Sequence, residues 1–144
     1  MKRWLLMLGW LVLSASAVGK SGSWSESSVG GQVSTGQQLL VSRPIRPPAP
    51  LPASASITSL KWHITLLTPP PPGLQIKLCG QVCFPLQSLS GTIQPATAYP
   101  ANGVFYFIYS VNSRGPLMPA LQVVSNQLTV NYHQVSASSG TLAM

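Results

Sequence analysis

Acidic side chains are almost absent from this sequence, since Glu26 is the only carboxylate side chain among its 144 residues. Most glycoside hydrolases need two carboxyl groups at the scissile bond, and magnesium and calcium sites are built mainly from carboxylate oxygens. A Ser-His-Asp triad also needs an acid to orient its histidine. The sequence therefore predicts a protein that is not an enzyme, with no catalytic residue and no cofactor.

Cysteine is also scarce, because Cys79 and Cys83 are the only two in the chain. In one extended strand their Cα atoms would be about 13 Å apart, which is too far for a disulfide. If the two cysteines bond, the chain must reverse between them, with residues 80–82 as a three-residue hairpin loop. The predicted opposite pairs are Cys79 and Cys83, Leu78 and Phe84, and Ile76 and Leu86. The four apolar residues then share one face, which supports the hairpin independently.

An even pair of cysteines in an exported chain indicates a structural disulfide, worth about 2 kcal/mol for so small a loop. A redox role is the competing interpretation, but the spacing is Cys-x3-Cys and not Cys-x-x-Cys. A zinc site that joins both cysteines to His63 and His133 would have irregular ligand spacing. We therefore expect a disulfide between Cys79 and Cys83 and no metal site.

The N-terminal apolar run, residues 4–13, is ten residues long, whereas a membrane-spanning helix needs about 20. Lys2 and Arg3 precede this run, and the small residues Ala15, Ser16 and Ala17 follow it. This is the layout of a cleaved secretory signal peptide. We expect a signal peptide over residues 1–17, cleavage after Ala17, and an exported mature protein without a transmembrane segment.

Removal of residues 1–17 leaves six basic residues against Glu26, a net charge of +5. One interpretation is a weakly charged surface that is polar through Ser, Thr, Gln and Asn. The other is attraction to an anionic partner, such as an envelope surface or an acidic protein. The basic residues are scattered and lack the clustered footprint of nucleic-acid-binding proteins. No nucleic-acid partner is expected.

Alternating polar and apolar residues over positions 57–67 predict the clearest β-strand. One face carries Thr58, Leu60, Trp62, Ile64 and Leu66, and the other carries Ser59, Lys61, His63 and Thr65. Trp62 is in register with apolar neighbours, which favours the core over a sugar-binding surface. His63 falls on the polar face and is expected to contact water.

Two proline-rich stretches, residues 44–52 and 68–73, are expected to be extended connections. Residues 104–111 are apolar on both faces, which predicts a central, doubly covered strand or one side of an interface. A polar turn over residues 112–116 holds Arg114. Residues 121–123 and 128–132 alternate again and predict two further strands.

Sustained helical periodicity is absent beyond the signal peptide, and the patterns sum to seven or eight short strands. Residues 18–133 are therefore expected to form a single-domain, all-β, antiparallel β-sandwich. Residues 134–144 are small and polar and are expected to form a flexible C-terminal tail.

Residues 117–132, with the sequence LMPALQVVSNQLTVNY, resemble the C-terminal signature of FlhE, the exported accessory protein of bacterial flagellar operons. Similar residues of that family occur upstream in the same order: Ser23-Trp24, residues 74–79 with the nearby Cys83, and Ser90-Gly91-Thr92. The resemblance covers most of residues 22–133. This chain departs from the family in its run of four prolines, its loop over residues 44–52 and its shortage of acids.

The resemblance implies a periplasmic, non-enzymatic protein that is chaperone-like in flagellar assembly and limits proton leakage through the flagellar export apparatus. The implied partners are this export apparatus or the exported rod, hook or filament subunits. The sequence leaves open whether the chain forms a homodimer. In the matching segment, Asn126, Gln127 and Asn131 are the polar candidates for partner contact, although turn and ladder hydrogen bonds explain such residues as well.

The alternative function is a glycan-binding module of the cell envelope, for peptidoglycan or polysaccharide. A β-sandwich can bind saccharides through aromatic, amide and hydroxyl groups without any acid. Trp24, Tyr99 and Tyr106 distinguish the two hypotheses. A solvent-exposed row of these aromatics would favour glycan binding, whereas their burial beside an unpaired strand edge would favour subunit binding by strand addition.

Overall fold

The computed structural model describes residues 19–135 as eight β-strands. The strands are β1 (Gly19–Thr35), β2 (Leu40–Val41), β3 (Ala55–Leu66), β4 (Leu74–Cys79), β5 (Cys83–Leu86), β6 (Ser90–Ile93), β7 (Tyr106–Val111) and β8 (Pro116–Val135). The first sheet has the order β1-β8-β3-β6 and the second the order β2-β7-β4-β5. Both are antiparallel, so the predicted all-β sandwich is confirmed.

Both ends of the chain carry predictions that lie outside the described residues. These are the signal peptide, its cleavage after Ala17, and residues 136–144 of the expected tail. The first two residues of that tail, Gln134 and Val135, belong to β8. Within residues 19–135, no helix has the length and hydrophobicity needed to cross a membrane.

The last strand, β8, is a single element of 20 residues and not the two strands that the sequence predicts. Residues 125–127 continue the strand, with Asn126 opposite Ser28 of β1 and opposite Ile64 of β3. The sequence Ser-Asn-Gln is typical of a turn, but partners on both sides hold this backbone extended. The strand β8 lies between β1 and β3 and is therefore an interior strand of the first sheet.

The core-facing side of β3 is confirmed at Leu60, Trp62 and Ile64, which are buried. The indole Nε1 of Trp62 donates to the carbonyl oxygen of Ser88 at 2.9 Å. The prediction is wrong at Thr58, which is exposed while Ile57 is buried. The pairing with β8 shifts between residues 57 and 59, and such a bulge moves the alternation by one residue.

The β4–β5 hairpin has the predicted register, with Cys79 opposite Cys83 and Leu78 opposite Phe84. A disulfide joins the two cysteines. Cys79 is buried and Cys83 is exposed, so the bond ties an interior strand to a strand at the sheet edge. The hairpin therefore combines a covalent closure with apolar packing of Leu78 against the core.

Replacing both cysteines by serine should lower the free energy of unfolding by about 2 kcal/mol, because the open loop has more conformational freedom in the unfolded chain. Urea denaturation followed by tryptophan fluorescence measures this difference. The unmodified protein under a reductant is the matched control and should lose a similar amount. Equal midpoints for the oxidised, reduced and double-serine proteins would refute a stabilising disulfide.

The strand β7 is central in the second sheet but is not covered on both faces. Phe105 precedes it and is buried, as are Phe107 and Tyr109, whereas Tyr106 and Ile108 are half-buried. The side chains on the core face pack towards Trp24 of the first sheet, whose ring centroid lies 6.4 Å from that of Phe105. The expectation of a doubly covered strand is therefore wrong, because no further layer covers the outer face within the described chain.

A polar bridge crosses the core between the two sheets. The hydroxyl of Tyr109 on β7 donates to Oδ1 of Asn126 on β8. The Nδ2 atom of Asn126 lies 3.3 Å from Ser28 Oγ and 3.4 Å from the carbonyl oxygens of Ser28 and Val29. Asn126 is completely buried, so internal hydrogen bonds to β1 and β7 account for its polarity.

Burial raises the pKa of Tyr109 above its usual value of 10.0 by disfavouring the phenolate. The folded chain holds this proton more tightly than the unfolded chain does. The contribution of Tyr109 to stability is therefore fully present below about pH 10 and is lost as the pH rises further. Between pH 8 and pH 11 the free energy of unfolding, measured by urea denaturation, should fall more for the unmodified protein than for Tyr109→Phe. Equal losses in the two proteins would contradict this placement of the hydroxyl.

Candidate functional site: the polar face of the first sheet

The outer face of the first sheet is polar on all four strands. The buried side chains of Trp24, Leu60 and Leu128 point into the core, so the residues beside them point outward by the alternation of a strand. We call this surface the polar face. It consists of Ser23, Ser25 and Ser27 on β1, Gln127, Thr129 and Asn131 on β8, Ser59, Lys61 and His63 on β3, and Ser90 and Thr92 on β6.

The strand register aligns the polar face into rows that cross the whole sheet. One row runs from Ser25 to Thr129, Lys61 and Thr92. The next row runs from Ser27 to Gln127, His63 and Ser90. The side chains of Lys61 and His63 are therefore neighbours on β3. Hydroxyl and amide groups of β8 lie on one side of them, and hydroxyl groups of β6 lie on the other.

Hydrogen bonds between side chains hold part of the polar face in place. Ser25 Oγ and Thr129 Oγ1 are 3.0 Å apart, and Gln127 Nε2 donates to Ser25 Oγ at 3.3 Å. Asn131 Nδ2 donates to Ser59 Oγ at 2.9 Å. These cross-strand bonds order the β1, β8 and β3 part of the surface, as such pairs do in antiparallel sheets.

A depression of about 530 Å³ lies on the polar face, and its lining includes Lys61, His63, Thr92, Gln127 and Thr129. Lys61 and His63 are exposed, so their nitrogen atoms are accessible to a partner. The depression can accept a polar or anionic group through hydrogen bonds and one positive charge. Among residues 19–135, no group of three or more His, Cys, Asp or Glu side chains is arranged to hold a metal ion.

Of the three polar candidates from the sequence, two lie on the polar face and one does not. Gln127 is exposed and Asn131 is half-buried there, whereas Asn126 lies in the core, where a partner of the folded protein has no access. The sequence indicated Lys61 and His63 only as solvated residues of one strand. Their position beside Gln127 depends on the pairing of β3 with β8, which no local pattern reveals.

The three aromatic residues that test glycan binding do not form an exposed row. Trp24 and Tyr99 are 6% and 5% exposed, and Tyr106 is half-buried. The indole Nε1 of Trp24 donates to the carbonyl oxygen of Ala101 at 3.1 Å, and the hydroxyl of Tyr99 accepts from the backbone N–H of Gln81. Their polar atoms are therefore used inside the sandwich, which weighs against a stacking platform for sugars.

The long strand β1 is an edge of the first sheet. Glu26 lies on the same side of this strand as the buried Trp24 but is itself exposed. A charged residue on the core-facing side of an edge strand disfavours pairing with the edge of another sheet, because the charge would be desolvated. Glu26 therefore disfavours indiscriminate strand addition at β1, the longest edge strand of residues 19–135.

The fold and this surface define a disulfide-bonded antiparallel β-sandwich with a polar sheet face. The chain belongs to the FlhE family: residues 30–133 match the family described as flagellar protein FlhE. The resemblance of residues 117–132 to this family is therefore confirmed.

Curated relatives extend the match over nearly the whole chain. A protein named Flagellar protein FlhE from Yersinia enterocolitica is 35% identical over 130 residues, which cover 89% of this chain and 91% of the relative. The protein of that name from Salmonella typhimurium is 35% identical over 133 residues, covering 92% and 99%. The one from Escherichia coli K12 is 34% identical over 131 residues, covering 90% and 98%.

A solved structure described as the crystal structure of FLHE has the same fold. Its TM-score with this chain is 0.73 at 34% sequence identity, and the match covers 78% of this chain and 96% of the solved one. The β-sandwich is thus the architecture of a flagellar protein family.

Proposed function

We propose that this chain is a periplasmic, non-enzymatic accessory protein of the bacterial flagellum. It acts in a chaperone-like manner on rod, hook or filament subunits and limits proton leakage through the flagellar export apparatus. The observation that carries the proposal is the match of residues 30–133 to the FlhE family. Full-length relatives named as flagellar proteins support it.

The polar face supplies the contact surface in this proposal. Its donors at Lys61, His63 and Gln127 lie on adjacent strands and point outward. Hydroxyl and amide groups form hydrogen bonds with water when no partner is present. Water can therefore replace a bound subunit, and the subunit can be released. Interfaces without buried apolar anchors have few high-affinity contacts, which suits transient contact with a subunit in transit.

The cellular test measures cytoplasmic pH with a ratiometric reporter in cells placed in acidic medium. A strain that lacks this protein should acidify faster than its parent, and the full chain should restore the parental rate. A chain without residues 1–17 should not restore it, because it stays in the cytoplasm. A strain that also lacks the export apparatus should show no extra acidification. Equal acidification with and without this protein would refute a role in proton leakage.

The subunit-binding part of the proposal is tested by capture of flagellar subunits on the purified, oxidised protein. Combined Lys61→Gln and Gln127→Ala substitutions should reduce capture about tenfold, because the positive charge of Lys61 and the amide of Gln127 leave the contact. Lys77→Gln is the matched control, since Lys77 is an exposed lysine on β4 of the other sheet, and it should bind normally. Pelleting with peptidoglycan and no retention of subunits would instead support the glycan-binding alternative.

A further inference from the structure

Gly19 and Val135 lie at one end of the sandwich, and Thr35 and Pro116 lie at the other. Four connections meet at this second end. These are the β1–β2, β3–β4, β5–β6 and β7–β8 connections. The three most exposed large hydrophobic side chains of the described residues all lie here, namely Met118 at 88%, Leu67 at 72% and Leu39 at 65%. We call this surface the apolar end. Clusters of this kind mark sites that bind a protein or a membrane.

The apolar end includes a groove between the β3–β4 connection and the start of β8. Residues 69–72, the four prolines, face Pro116, Met118 and Pro119 across a groove of about 500 Å³. Arg114 is the one charged residue that lines this groove. The β1–β2 connection is tied to the same region, because Gln37 Nε2 donates to Asn112 Oδ1 at 3.2 Å.

The backbone of the apolar end exposes few hydrogen-bond donors. Its six prolines have no N–H group. Several other N–H groups are bonded internally: that of Leu67 to Gln122, of Leu74 to Pro71, of Asn112 to Gly73 and of Ser113 to Val111. A lipid phase offers no acceptor to a backbone donor, so a surface with few free N–H groups enters the interfacial region at low cost.

The charge of the described residues suits an anionic surface. Six basic side chains stand against Glu26 within residues 19–135. Glu26 lies opposite Leu128 in the middle of β1, away from the apolar end. Arg114 lines the groove beside Met118, where it can attract an anionic lipid headgroup while the apolar side chains enter the acyl boundary.

We propose that the apolar end docks on an anionic lipid membrane. Met118 and Leu67 insert at the boundary between headgroups and acyl chains, and Arg114 contacts lipid phosphates. Lipid explains the surface better than a protein partner does, because Met118, Leu67 and Leu39 project from three separate segments of the chain. The prolines and the internally bonded N–H groups also leave few backbone donors for a partner chain. The inference goes beyond the proposed function, and it leaves the polar face free for subunits beside the membrane.

The test is co-sedimentation of the purified, oxidised full chain with vesicles of phosphatidylglycerol and phosphatidylcholine, against vesicles of phosphatidylcholine alone. Binding is expected only to the anionic vesicles. The double substitution Leu67→Ser and Met118→Ser should weaken binding about tenfold, since two apolar groups no longer insert. Arg114→Gln should weaken it about fivefold at low salt and less at high salt.

Val82→Ser is the matched control, because Val82 is an exposed valine in the β4–β5 loop at the far end of the sandwich. It should bind vesicles like the unmodified protein, and all variants should keep the thermal unfolding midpoint of the parent. Absence of binding to anionic vesicles, or equal loss in Val82→Ser and the double variant, would overturn the proposal. Normal vesicle binding with failed subunit capture would refute only the proposed chaperone function.

Discussion

Replacement of Asn126 by alanine should lower the free energy of unfolding by about 3 kcal/mol. The substitution removes the acceptor of the buried Tyr109 hydroxyl and the donor that faces Ser28 and Val29. It also leaves a cavity at a completely buried position. Because the lost contacts join β7 to β8 and β1, both sheets are affected. Urea denaturation followed by tryptophan fluorescence measures the change.

A double-mutant cycle separates the hydrogen bond from the cavity. Tyr109→Phe alone should cost about 1–2 kcal/mol, because Asn126 keeps its contacts to β1 but loses the hydroxyl donor. Asn126→Leu fills the space and leaves the Tyr109 hydroxyl without its partner. The combined variant should be more stable than the sum of the single effects predicts. Additive losses would show that the bridge between the sheets contributes no coupling.

Replacement of Trp62 by alanine should lower the free energy of unfolding by about 4 kcal/mol. The indole is 5% exposed and is part of the core between the sheets. The substitution also removes the hydrogen bond from Nε1 to the carbonyl oxygen of Ser88, which ties the β5–β6 connection to β3. The polar face should loosen as a consequence, because β6 carries Ser90 and Thr92 and pairs only with β3 in this sheet.

The residue opposite Trp62 provides a second measurement of the same packing. Gly91 pairs with Trp62, and a Cβ atom at this position would lie 2.9 Å from the indole ring. Gly91→Ala should therefore destabilise the protein by about 1–3 kcal/mol through overpacking. Gly103→Ala is the control, since its Cβ would approach Pro100 no closer than 3.9 Å. Equal unfolding midpoints for the two alanine variants would contradict close packing at Trp62.

Local patterns predicted the elements whose partners are near in sequence. The β4–β5 register followed from the geometry of a disulfide between residues four positions apart, and the structure has that register. The core face of β3 followed from the alternation around Trp62. Thr58 was misplaced because a bulge opposite β8 depends on a strand distant in sequence.

The least predictable elements were those formed by distant pairing. The strand β1 is 17 residues long, but it is rich in serine and glycine, which have low strand propensity. Within residues 21–35 of this strand, the buried large side chains are Trp24 and Val33. The Ser-Asn-Gln sequence around Asn126 is typical of a turn. The hydrogen-bond partners of its side chain lie on β1 and β7, which are distant from it in sequence, so no local pattern reveals its place in the core. For the same reason no local pattern shows that Gln127 and Lys61 share one surface.

The first described strand of the chain pairs with the last one, from Gly19 opposite Val135 to Thr35 opposite Pro116. The contact order of the first sheet is therefore high, and folding is slow when contacts of such long separation must form. A chain released with its N-terminus first has no partner for β1 until its final residues emerge. The polar face is completed only at that moment, so a product that stops short of β8 lacks an interior strand of its first sheet and cannot form the rows of side chains that cross it.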